Sequence, residues 1–219
     1  LSRDIVPKID SCYKKGIKHF IIAGHSQGGA ITYLLTSHLE NLKENRIIPS
    51  DIRFKTYSSA APKAGNLYYA YKYETLTRNW AFNSVNTSDW VPEVPLSVQT
   101  VNDFTDINPF KGAKSMIKKQ KLGTRLVLRH LYNRMSKPSF EAQKNYEKYL
   151  GKMVSKMIKK ALPEFEPPAY FKSSDYVRIG TTIVLYADDE YKKLFPQNPD
   201  QVWLNHFIDP YLYLAGKLK

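Results

Sequence analysis

The chain has 219 residues, of which 42% are hydrophobic, and a formal net charge of +13. This length allows one domain with an elaboration, and the absence of any apolar run of eighteen residues excludes a transmembrane helix. The single Cys12 excludes an internal disulfide. The chain opens on Leu1 without a signal-peptide pattern, and we expect it to be a fragment that lacks its N-terminal part. The compartment is left open.

The spacing of apolar residues along the chain predicts alternating strands and helices. Pro7 is expected in or before the first turn of the first helix. The predicted helix at 30–43 should bury one stripe, Ile31, Leu34, Leu35, Leu39 and Leu42. In chain order the pattern predicts a helix at 5–15, a strand at 18–23, a helix at 30–43, a strand at 52–58, a helix at 66–77, a strand at 80–85, a strand at 177–186 and a helix at 206–218. This order predicts an α/β fold with a mostly parallel sheet and flanking helices.

The positive charge belongs to one segment. Between Lys111 and Lys160 there are 15 Lys and Arg residues against only Glu141 and Glu147, so the rest of the chain is neutral. The pattern predicts two helices, 111–135 and 140–162, separated at Lys137-Pro138. We therefore expect a single domain over 1–219, with a basic helical hairpin inserted at 108–168.

Two interpretations of this Lys111–Lys160 segment remain open. Its second helix combines a Met, Tyr and Leu face with a row of lysines, which would suit an anionic membrane surface. Alternatively, the hairpin packs on the rest of the fold and its lysines are solvated. Nucleic acid is not expected as a partner, because the segment offers few aromatic side chains for base stacking. The oligomeric state is not determined by the sequence.

Gly24-His25-Ser26-Gln27-Gly28 lies between a predicted buried strand and a predicted helix. A strained turn of this kind presents the serine hydroxyl clear of the sheet, where a neighbouring base can activate it. The helix N-terminus then directs free N–H groups, including that of Gln27, at a developing oxyanion. Ser26 is therefore the candidate nucleophile, and the Gln27 backbone N–H a candidate oxyanion donor.

Elimination among five histidines selects the base. His19 begins the buried strand, and His25 lies inside the turn and points away from Ser26. His38 lies about three helical turns from the serine, and His130 lies in the basic segment. His206 follows the last strand and precedes the closing helix, where a loop can return its imidazole to the serine.

The acid should precede the histidine and follow the nucleophile in the chain. Asp89 is the best candidate because it comes directly after a strand, in a loop fixed by Pro92 and Pro95. A buried carboxylate there would set the imidazole tautomer and stabilise the imidazolium. Glu93 and Asp103 remain as alternatives in the same loop.

Three ordered blocks of this sequence resemble the class 3 lipases, the family of fungal triacylglycerol lipases and their bacterial and plant relatives. Together they span about the first hundred residues, to which the closing histidine is added. The blocks are Ile22-Ala23-Gly24-His25-Ser26-Gln27-Gly28-Gly29-Ala30, Ser58-Ser59-Ala60-Ala61-Pro62-Lys63-Ala64-Gly65-Asn66 and Val85-Asn86-Thr87-Ser88-Asp89-Trp90-Val91-Pro92.

The resemblance implies an α/β-hydrolase that cleaves lipid carboxylic esters through Ser26, Asp89 and His206 and an acyl-enzyme, without a metal or cofactor. The substrate would be a triacylglycerol or a simpler carboxylic ester. Gln27 departs from the leucine usual in the family. The family's first oxyanion donor and its lid both precede the elbow, and this chain is expected to lack them.

Two other functions remain open. One is a phospholipase A1 or an acyltransferase that uses the same three residues. The other is a non-catalytic lipid-binding or partner-binding protein, in which the hydrolase fold only supports the basic hairpin. Labelling of the serine with a fluorophosphonate separates the enzymes from the non-catalytic protein.

Overall fold

The structure is a computed structural model of the chain, and it describes residues 2–218. The chain forms two compact units. Unit 1 comprises residues 2–96 and 176–218, and unit 2 comprises residues 97–175. The helices and strands, numbered along the chain, are α1 (Ser2–Lys14), β1 (His19–His25), α2 (Gln27–Glu44), β2 (Arg53–Ser59), β3 (Gly65–Asn66), α3 (Leu67–Thr77), β4 (Ala81–Asn86), α4 (Ala113–Lys118), α5 (Leu122–Tyr146), α6 (Val154–Ala161), β5 (Tyr176–Val177), β6 (Thr181–Leu185), α7 (Asp189–Leu194) and α8 (Ile208–Ala215).

A four-stranded parallel sheet in the order β1-β2-β4-β6 forms the centre of unit 1. His19 pairs with Arg53, Thr56 with Ala81, and Phe82 with Thr181, so all four strands run the same way. The predicted mostly parallel sheet with flanking helices is therefore confirmed. Because parallel strands end at one edge, residues that follow β1, β4 and β6 are brought to the same side of the unit.

The face that α2 buries differs from the predicted stripe. Thr32, Tyr33, Thr36 and Leu39 are buried. Of the predicted stripe, Leu39 is buried and Leu35 and Leu42 pack against the same core cluster, whereas Ile31 and Leu34 are exposed, so the prediction is wrong at these two positions. The hydroxyls explain the difference. Thr36 hydrogen-bonds to Thr56 at 2.7 Å and Thr32 pairs with Ser58, which fixes the helix on β2 through polar side chains. Periodicity of apolar residues does not register such pairs.

Two predicted boundaries are also corrected. Pro7 lies inside α1, because this helix begins at Ser2 and not at residue 5. The predicted strand at 177–186 is divided into β5 and β6. β5 pairs antiparallel with β3, and Gly180, with φ of 79°, turns the chain before β6 joins the main sheet.

Unit 2 begins and ends at one place. Val98 forms an antiparallel bridge with Ser174, and the Asp175 carboxylate accepts hydrogen bonds from Ser97 and Gln99 at 3.2 and 3.1 Å. The main element of this unit is a helix without interruption from Leu122 to Ala161, in which residues 147–153 form a π-helical segment between α5 and α6. At 1.5 Å per residue it is roughly 60 Å long.

The helix break predicted at Lys137-Pro138 is wrong, because Pro138 lies within α5. A proline removes one backbone hydrogen bond. The helix continues through Pro138 because several helical turns on each side of it keep their own hydrogen bonds. Along α6 and the π-helical segment, apolar side chains such as Leu150, Met153 and Met157 are exposed. No helix within residues 2–218 has the length and apolar character needed to span a bilayer.

Candidate active site

Ser26 lies in a sharp turn between β1 and α2. Its φ and ψ are 59° and −126°, a conformation that residues other than glycine rarely adopt. Its backbone N–H donates to the Ser59 carbonyl at 2.9 Å, which ties the turn to the end of β2. Gln27 is the first residue of α2, so its N–H has no acceptor within the helix. This N–H is thus available to a ligand beside the serine.

The two glycines that flank this turn have different surroundings. A Cβ on Gly24 would lie 2.5 Å from the carbonyl carbon of Gly28, closer still to its oxygen, and 2.8 Å from the Thr32 methyl. A Cβ on Gly28 would meet nothing within 4 Å. The turn can therefore close only because Gly24 has no side chain.

The structure brings the three predicted side chains of Ser26, Asp89 and His206 together in unit 1. His206 Nε2 lies 2.7 Å from Ser26 Oγ, and His206 Nδ1 lies 2.9 Å from Asp89 Oδ2. A carboxylate only accepts hydrogen bonds, so Nδ1 carries the proton and donates it to Asp89. Nε2 is then the acceptor for the serine hydroxyl, which is the geometry required for proton transfer from a serine nucleophile.

Both oxygens of the Asp89 carboxylate accept hydrogen bonds. Its side chain is 0% exposed. Val91 N–H donates to Oδ1 at 3.0 Å, and the Tyr211 hydroxyl donates to Oδ2 at 2.7 Å. Burial, together with the negative charge of Asp89, raises the pKa of Tyr211 well above its usual range. Tyr211 consequently keeps its proton and remains a donor to this carboxylate.

His25 holds the backbone of His206. Its Nε2 lies 2.7 Å from the His206 carbonyl oxygen, and its Nδ1 lies 2.7 Å from Ser59 Oγ. Because a carbonyl only accepts, Nε2 of His25 must donate, which leaves Nδ1 to accept from the Ser59 hydroxyl. His25 therefore connects the turn at Ser26 to the loop that carries His206.

A second set of buried hydrogen bonds fixes the loops that carry Asp89 and His206. The Asn86 amide donates to the Tyr191 hydroxyl at 2.8 Å and to the Asn205 carbonyl at 3.0 Å. Tyr191 in turn donates to the Asn205 side chain at 2.6 Å. Asn86 ends β4 and Asn205 directly precedes His206, so this network holds His206 at a set distance from the end of β4.

The remaining candidates lie elsewhere. His19, His38 and His130 are exposed, on β1, α2 and α5. Glu93 is also exposed, and Asp103 belongs to unit 2, where it accepts hydrogen bonds from Thr100.

The sequence analysis did not predict two features of the site. These are the presence of Tyr211 and the contact that His25 makes with His206. Tyr211 carries no local pattern, because its importance follows only from a contact with Asp89, 122 residues away. The position of His25 directly before Ser26 is visible in the sequence. Its partner is a backbone carbonyl, which no sequence motif can indicate. Across residues 2–218, no three His, Cys, Asp or Glu side chains are grouped as a metal site would require.

Comparisons with known proteins find similarity to lipases. Residues 1–99 match the family Lipase (class 3). Among curated proteins, no sequence matches the chain. The crystal structure of M37 lipase is similar at 18% identity and a TM-score of 0.48, covering 90% of this chain and 45% of that one. The lipase from Rhizopus microsporus var. chinensis is similar at 27% identity and a TM-score of 0.35, covering 43% and 32%. The chain thus spans less than half the length of either lipase.

Proposed function

We propose that this chain is a serine hydrolase of lipid carboxylic esters such as triacylglycerols, and the match of residues 1–99 to the class 3 lipase family supports this proposal. Ser26 is the nucleophile, His206 the base and Asp89 the orienting acid. The observation that carries the proposal is the 2.7 Å contact between Ser26 Oγ and His206 Nε2, with Nδ1 of the same imidazole bound to a buried carboxylate.

The reaction follows from the proton positions. Nε2 of His206 takes the Ser26 proton as Oγ attacks the ester carbonyl carbon, and Asp89 stabilises the resulting imidazolium. The Gln27 N–H donates to the oxyanion of the tetrahedral intermediate. The imidazolium then protonates the leaving alcohol, which gives an acyl-enzyme on Ser26. Water activated by His206 attacks this ester and releases the carboxylic acid and the free serine.

A fluorophosphonate probe tests the proposal directly, because it reacts only with a serine whose proton is removed by a neighbouring base. We expect one covalent adduct, located on Ser26 by peptide mass spectrometry, in the protein that carries this chain. Ser26→Ala should abolish the adduct, whereas Ser59→Ala, which changes a neighbouring hydroxyl that hydrogen-bonds to His25, should retain it. A folded protein that forms no adduct on Ser26 would show that the chain is a binding protein and not a hydrolase.

Tyr211→Phe should slow ester hydrolysis by about tenfold without unfolding the protein. The substitution removes one donor to the Asp89 carboxylate, and a hydrogen bond to a charged group is worth about 1.5–3 kcal/mol. The phenyl ring keeps its place among Ala60, Leu185 and Leu214. Steady-state kinetics on a soluble ester should show the loss in kcat.

Tyr186→Phe is the matched control, because the Tyr186 side chain is 71% exposed. Its kcat should equal that of the parent protein. If both variants behave alike, Tyr211 does not support the acid.

A further inference from the structure

A cationic cavity lies between α4 and α5 in unit 2. Its volume is about 670 Å³, within the range of pockets that hold small ligands. Lys114 and Lys118 line it from α4, and Arg125 and Arg129 line it from α5. Each pair is spaced by four residues, so both members of a pair lie on the same face of their helix.

The positive charge of this cavity is not compensated. Like charges four residues apart on a helix repel each other. The ion pairs among residues 2–218 include none of these four cations; Lys111, three residues before Lys114, pairs with Asp106, and neither of these two residues lines the cavity. The Lys114 ammonium instead lies 5.7 Å from the centre of the Tyr132 ring. Four cations that converge without an acid indicate an anionic ligand with more than one charge.

The donor set fits phosphate groups in particular. Guanidinium groups form paired hydrogen bonds with two phosphate oxygens, and lysine ammonium groups add point charges. Tyr132 and Asn133 also line the cavity, and both residue types carry neutral hydrogen-bond donors. We propose that this cavity binds clustered phosphate groups, carried either by a membrane lipid headgroup or by a soluble phosphorylated compound. The proposal is independent of the ester chemistry at Ser26.

The experiment uses the chain with Ser26→Ala, so that no vesicle lipid is hydrolysed during the measurement. Inorganic tripolyphosphate represents the soluble source and is titrated by calorimetry. Phosphatidylcholine vesicles with and without phosphatidic acid represent the lipid source and are assayed by cosedimentation. Binding of tripolyphosphate with no preference for phosphatidic acid assigns the soluble source; binding of phosphatidic acid vesicles alone assigns the lipid headgroup.

A charge-matched pair of double variants tests the location. Arg125→Gln with Arg129→Gln should weaken binding about tenfold or more, because two charge-assisted contacts are lost. Lys156→Gln with Lys159→Gln removes the same charge from exposed positions of the same long helix and should change binding less than twofold. Thermal unfolding should be unchanged in both, since all four side chains are exposed.

Three results would overturn the proposal. The first is no binding of either probe. The second is an equal loss in the two double variants, which would show general attraction by the basic segment. The third is displacement of the bound probe by single-stranded DNA with the same dependence on Arg125 and Arg129, which would assign the cavity to nucleic acid. None of these results bears on labelling of Ser26, so the two proposals fail separately.

Discussion

Asp89→Asn should lower kcat for ester hydrolysis by about four orders of magnitude, as expected when the imidazole is held in the wrong tautomer. Val91 N–H donates to Oδ1 of Asp89, so the amide oxygen of an asparagine would take the position of Oδ1. The asparagine amide nitrogen would then face His206 Nδ1 and donate to it. The imidazole proton would move to Nε2, which could no longer accept the proton of Ser26.

Glu93→Gln is the control for Asp89→Asn. It removes the same charge from the same loop, at an exposed position, and should leave kcat within twofold. Near-ultraviolet circular dichroism should show that both variants are folded. If Glu93→Gln is the damaging substitution and Asp89→Asn is not, the acid has been assigned to the wrong residue.

Gly24→Ala should destabilise the protein by about 3 kcal/mol and abolish labelling of Ser26. The added methyl would overlap the Gly28 carbonyl, and neither backbone can move away without opening the turn. Gly28→Ala should be neutral or stabilising by up to about 1 kcal/mol, because its methyl meets nothing and alanine favours the helix. Urea unfolding of the two variants measures the difference.

The two glycine variants also test whether both glycines of the Gly24-His25-Ser26-Gln27-Gly28 motif are needed. The glycines two residues before and two residues after the serine are symmetric in sequence, but only the first is required by close approach of the backbone. Equal damage from the two substitutions would mean that the turn depends on backbone freedom at Gly28 as well.

Local sequence was sufficient to predict the parallel main sheet, because its strands are short apolar or alternating runs and alternation with helices implies parallel pairing. It was also sufficient to select Ser26, Asp89 and His206 as candidates, since chain order and position after strands restrict the choice. It failed where the decisive contacts join distant polar side chains. Thr32 and Thr36 fix α2 on β2 through their hydroxyls, and apolar periodicity indicated neither of them.

By itself the sequence determined which residues are candidates for the reacting groups, because a glycine-bounded serine between strand and helix is a local feature and chain order restricts the acid and the base. Tertiary structure alone decided how those groups are held. Tyr211 reaches Asp89, and His25 reaches the carbonyl of His206, across separations of 122 and 181 residues. Tertiary structure also decided that one cavity is lined by side chains from both α4 and α5, namely Lys114, Lys118, Arg125 and Arg129. Such contacts depend on how elements pack, and packing brings together residues whose separation along the chain carries no pattern.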